Sequence, residues 1–100
     1  MQPRPGIFDA DYKVAGGKLL RVRVRVAEAG VIDAITIFGD FFMHPEAAIE
    51  VLEGALAGAP LDAAVLRARV QAFFDGDVQV IGAGVDDFVH VILKAVGDAA

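Results

Sequence analysis

The chain has 100 residues, 14 acidic against 9 basic side chains, a net charge of −5 and a mean hydropathy of +0.55. That length holds one small domain, its acidity disfavours nucleic acid and anionic membranes as main partners, and the lack of cysteine removes disulfides, thiolate catalysis, iron–sulfur ligation and Cys-zinc sites. No uncharged apolar run reaches the roughly 18 residues of a membrane span, and MQPRPGIFDADY lacks an apolar signal-peptide core, so a cytoplasmic protein is expected.

Residues 1–8, with Pro3 and Pro5, read as a flexible leader, and 9–97 as a single domain. Residues 8–15 (FDADYKVA) read as a short strand, and Gly16-Gly17 fits a two-residue hairpin loop whose central positions need positive φ. The clearest strand is 18–27, KLLRVRVRVA. There Leu20, Val22, Val24 and Val26 alternate with Arg21, Arg23 and Arg25, giving one apolar face and one basic face. Glu28-Ala29-Gly30 turns the chain, and VIDAITIF (31–38) returns as a third strand.

The stretch that follows, FGDFFMHPE (38–46), sets Phe41, Phe42 and Met43 in a row between a strand and a helix. Regular spacing buries only some of them. Pro45 suits a first helical position and Glu46 the positive end of the dipole. Ile49, Leu52 and Leu56 then form an apolar stripe opposite Glu46, Glu50 and Glu53, up to Gly58. A second helix starts with Asp62 as N-cap, Leu61 and Leu66 as a hydrophobic staple, and Leu66, Val70 and Phe73 as its buried row. After the Asp75-Gly76 turn, VQVIGAG (78–84) is a short strand or an extended connection. Asp86 then caps a last helix whose inner side holds Val89, Ile92, Leu93 and Val96. The fold class is α+β: a three-stranded antiparallel meander packed by about three helices.

Few residues suggest chemistry. IGAG (81–84) begins like a dinucleotide fingerprint, but position 87 is Asp and too little chain follows for a βαβ unit. His44-Pro45-Glu46 matches half of a zinc deaminase signature whose other half needs a cysteine pair, and no metal site is expected. His90 lies one helical turn from Asp86, spaced for a charged pair. Ser is absent and Thr36 is the sole Thr, so neither a Ser nor a Cys nucleophile is available. Arg21, Arg23 and Arg25 form either an outer sheet face neutralised by Asp33 or Asp11, or a surface for an acidic or phosphorylated partner.

YKVAGGKLLRVRVRV followed by ITIFGDFFMHPEAAIEVLEGALAG strongly resembles the C-terminal domain of lipoate-protein ligases. The likeness is carried by Gly16-Gly17-Lys18 entering a strand, by Ile35 to Phe42, and by Pro45-Glu46 opening a helix; Gly84 to Phe88 fits as well, and about residues 12–96 are covered. The resemblance implies a SufE/IscU-like scaffold, without the cysteine chemistry of those proteins. It implies an accessory subunit of a two-chain ligase, forming a heterodimer with a catalytic chain and reaching lipoyl acceptor domains only indirectly. ATP, Mg²⁺ and lipoate then belong to the assembled ligase rather than to this chain alone, which supplies no catalytic residue. The expected partner interface is Asp40, Phe41, Phe42 and Met43, with one Phe entering the core and the other, with Met43, at the contact surface. Lys18 is a candidate phosphate or interface contact. The alternative is a non-catalytic interaction module of the same fold with no ligase role.

Overall fold

The computed structural model describes residues 4–16 and 18–97. In chain order the elements are β1 (Gly6–Lys13), β2 (Leu19–Val26), β3 (Ile32–Gly39), β4 (Phe42–His44), α1 (Ala48–Leu56), α2 (Ala63–Phe74), β5 (Gln79–Ile81) and α3 (Val85–Val96). β1, β2 and β3 form an antiparallel meander in that order, and β4 pairs with β5 in a separate two-stranded ribbon. The α+β class and the three-helix cover therefore hold. The first strand begins at Gly6, inside the stretch read as a leader; residues 1–3 of that leader lie outside the described residues.

The pleat sends successive side chains of β2 to opposite faces. Leu20, Val22, Val24 and Val26 are buried and Arg21, Arg23 and Arg25 are exposed. Each fully buried Leu or Val contributes roughly 1.5–3 kcal/mol relative to exposure, so this face decides which side of the sheet the helices cover. α3 lies across β1 and β2, α1 lies against β3, and α2 packs on both helices. Phe88, Val91, Ile92 and Ala95 of α3 reach zero exposure; of the expected inner row, Val89 and Val96 are buried but Leu93 is only half-buried. On α2, Leu66 and Val70 are buried and Phe73 half-buried.

The hairpin between β1 and β2 is longer than a two-residue loop. Val14 N–H donates to the Lys18 carbonyl at 2.7 Å, so the strand pairing closes at Val14 and Lys18; Gly16 has φ +100°, and Gly17 lies outside the described residues. At the far end of β2 the pairing shifts between Arg25 and Val26. Asp62 caps α2 as its spacing predicts, its carboxylate accepting from Val65 N–H at 3.0 Å.

Two helix starts and one side-chain pair differ from expectation. α1 starts at Ala48, not Pro45, because residues 42–44 are drawn into the β4–β5 ribbon and residues 45–47 must turn the chain; the His44–Pro45 peptide is cis. α3 is entered through Gly84, whose N–H donates to the Asp87 carboxylate at 2.8 Å, so Asp86 is not the cap. Asp86 instead pairs with Arg67 of α2, and the His90 ring lies tilted at 51° against Tyr12 with ring centroids 4.3 Å apart.

Glu53 also departs from expectation. Rather than sharing a solvated side with Glu46 and Glu50, it is half-buried and accepts from Ile37 N–H at 2.7 Å. β3 is an edge strand, and an edge N–H without a partner is costly once water is excluded. Glu53→Ala should therefore lower stability by about 1–2 kcal/mol in urea unfolding, with Glu53→Gln, which keeps an acceptor oxygen, retaining most of it.

Candidate functional site

The turn after β3 is shaped by a close backbone approach. Gly39 has φ +156°, and a Cβ placed there would lie 2.1 Å from the Leu19 carbonyl oxygen, which itself accepts from Asp40 N–H at 2.9 Å. Only glycine fits between the end of β3 and the start of β2. The bend turns the chain off the meander, where Phe42, Met43 and His44 pair with Ile81, Val80 and Gln79.

That pairing sorts the apolar run. Phe41, half-buried, meets Phe88 edge-on with centroids 5.4 Å apart; Phe88 in turn meets Phe74 at 5.8 Å, and Phe74 meets Phe73 at 6.0 Å. The turn is thus tied by aromatic contacts through α3 to α2. Phe42 points the other way and is 53% exposed, beside its cross-strand partner Ile81 at 54%. One ring inside and one outside is what the sequence suggests. Met43 differs from the expected surface position: it is only 6% exposed, since alternation along a strand turns it opposite to Phe42 and His44, though it still contributes to the lining of the cleft beside Phe42.

Around Phe42 lies a cleft of about 260 Å³, lined by Ile37, Phe38, Phe41, Phe42, Glu46 and Ile49 among others, with Phe38 itself 47% exposed. Asp40 is exposed between two residues of this lining. Lys18 is exposed, with its Cγ and Cδ 3.1 and 3.6 Å from the position a Cβ would take on Gly82, next to the Phe41 backbone. Gly82 therefore makes room for the Lys18 stem, and the hairpin and the aromatic turn come together there. Ile81 and Gly82 escape sequence reasoning as members of this face; the VQVIGAG run was the available signal, but only pairing with β4 places it.

Among the described residues no group of three or more His, Asp or Glu side chains comes together to hold a metal ion. The arginine face of β2 is matched charge for charge: Arg21 with Asp11 at 3.4 Å, Arg23 with Asp9 at 2.8 Å and Arg25 with Asp33 at 3.2 Å. Asp9 stands directly opposite Arg23, and the hydrogen bond from that guanidinium holds its carboxyl below the ordinary 3.8. The ladder reads as a neutralised outer face.

No helix among the described residues is long and apolar enough to cross a membrane. The family model for the bacterial lipoate protein ligase C-terminus matches residues 6–92. Among solved structures, a chain at 27% identity and TM-score 0.78 corresponds to 88% of this chain and covers 96% of its own; it comes from an archaeal lipoylation system, a bi-partite lipoate protein ligase and its E2 lipoyl domain from Thermoplasma acidophilum. A search of curated proteins finds no match.

Gly39→Ala should cost at least about 1–3 kcal/mol from the φ alone, read as a lower urea midpoint, because the neighbouring atom is backbone and has no rotamer to escape into. The lowered carboxyl of Asp9 contributes stability above its unfolded value that is lost as pH falls through the folded one. Asp9→Asn should accordingly flatten the acid limb of the melting-temperature profile below the ordinary carboxylate range, with the effect shrinking at high salt because the pair is exposed.

Proposed function

The chain belongs to the bacterial lipoate protein ligase C-terminal family, and from that membership we propose that it acts as the accessory subunit of a two-chain lipoate-protein ligase. It docks on a catalytic chain, supports ATP-dependent formation of lipoyl-adenylate there, and so assists lipoylation of a lysine on an acceptor domain. The observation that carries this reading is the near end-to-end correspondence with a chain of comparable length from a bi-partite ligase.

The physics of the exposed turn supports a docking role. Phe42 and Ile81 place adjacent apolar side chains at the surface of a small domain, where water contact is unfavourable unless a partner covers them. Association of two chains also needs central apolar anchors to offset the lost translational and rotational freedom. An acyl-adenylate is prone to hydrolysis, and a second domain that closes over the reaction centre excludes water. ATP, Mg²⁺ and lipoate are assigned to the catalytic chain. Lys18 is assigned a phosphate or interface contact in this reading, its long stem passing over Gly82.

Mixing the purified chain with a catalytic ligase chain should raise lipoyl-adenylate formation well above that of either chain alone. Equal activity of the catalytic chain by itself overturns the reading in favour of an interaction module with no ligase role. Phe42→Ala should weaken association by roughly 1–3 kcal/mol in titration calorimetry while moving the melting temperature little, since the ring is half outside the domain. A large fall in melting temperature with unchanged affinity identifies the ring as structural instead.

A further inference from the structure

Two independent features of the described residues coincide around one segment, 38–51, and its β5 neighbour. The first is apolar exposure: of the large hydrophobic side chains left at the surface, Phe38, Phe42, Val51 and Ile81 belong to segment 38–51 or to its β5 partner, and Ile7 alone lies elsewhere. The second is unpaired negative charge. Asp9, Asp11, Asp33 and Asp86 pair with arginines. Glu53, Asp62 and Asp87 accept from backbone N–H groups, and Asp75 accepts from Gln71. Glu28 also has a partner. Asp40, Glu46, Glu50 and Asp77 remain, and among the described residues these four carboxylates make no hydrogen bond or ion pair.

All four border the same turn and helix start. Asp40 lies between residues lining the cleft beside Phe42, and Glu46 is itself part of that lining. A second cleft, of about 410 Å³, opens on the other side of the 45–47 turn, lined by Pro45, Ala47, Val51, Phe73 and Asp77 among others. Glu50 sits on α1 between Ile49 of the first cleft and Val51 of the second. The start of α1 is therefore a ridge with an apolar hollow on either side and four carboxylates around it that make no ion pair, while Lys18 stands at the Gly82 edge of the first hollow.

We propose that this ridge receives a basic surface of the catalytic ligase chain, in which apolar side chains enter the two clefts and Lys or Arg side chains pair with Asp40, Glu46, Glu50 and Asp77. This rests on the accessory-subunit reading and names the chemistry of its contact. Charge selects the occupant. A second copy of this chain brings four like charges against four, and an acidic or phosphorylated partner is repelled in the same way. Apolar contact alone gives adhesion without orientation, whereas a ring of charges around it fixes register and speeds encounter.

The test is the affinity for the purified catalytic chain as a function of salt, for the native chain and for the variant carrying Asp40→Asn, Glu46→Gln, Glu50→Gln and Asp77→Asn. The native complex is expected to weaken steeply as NaCl rises. The variant should bind roughly tenfold more weakly at low salt, with a clearly shallower salt dependence and an unchanged melting temperature, since none of the four side chains has an internal partner. Asp11→Asn, on the arginine face, should leave affinity unaltered. If the complex forms and the variant matches the native chain in affinity and salt slope, the acidic rim is not the contact and the proposal falls while the accessory-subunit reading stands. If the native chain forms no complex at all, that reading falls and the proposal with it.

Discussion

Leu20, Val22, Val24 and Val26 alternate with three arginines along β2, and because the pleat sends them all to one side, the helices have one face to cover. That burial organises everything else. It brings α3 down on β1 and β2, seats Phe88 at zero exposure, and so provides the partner against which Phe41 packs edge-on. It also commits the guanidinium groups to the outside, where Asp9, Asp11 and Asp33 meet them. A register slip of one residue in β2 would exchange valines for arginines against α3 and dismantle both faces at once.

The exposed turn is a consequence of that frame. With Phe41 held by Phe88, the next residue on a strand must face away, and Phe42 does so beside Ile81. Gly39 makes the geometry possible by letting the Leu19 carbonyl come where any side chain would collide. A small domain thereby keeps a well-anchored backbone under an apolar surface that its own core does not use. Rigidity beneath a contact surface lowers the ordering cost of association, which suits the proposed docking role.

Charge is distributed by the same logic. On the sheet, acids and bases face each other across strands and cancel; around the 45–47 turn, carboxylates stand without partners next to open apolar clefts. Elsewhere acids do structural work, as Glu53 does in satisfying the edge N–H of Ile37 and Asp87 in satisfying Gly84. Surface charges of similar sequence appearance thus divide into internal caps, cross-strand pairs and unpartnered rim groups.

Periodicity and turn chemistry determined the meander, the two faces of β2, the Asp62 cap and most of the buried rows of α2 and α3, Phe73 and Leu93 excepted, since each depends on neighbours a few residues apart. The Gly-Asp-Phe-Phe and Pro-Glu segments carried the family likeness. What tertiary structure alone decided came from partners distant along the chain. Pairing of residues 42–44 with 79–81 turned Met43 inward and delayed α1 to Ala48. Arg67 drew Asp86 away from His90, and β3 turned Glu53 from a solvated residue into a cap. Local sequence sets which backbone shapes and faces are available. Which side chains stay uncovered is settled only when distant segments compete for the same surface, because burial is a property of the assembled neighbourhood and not of the residue.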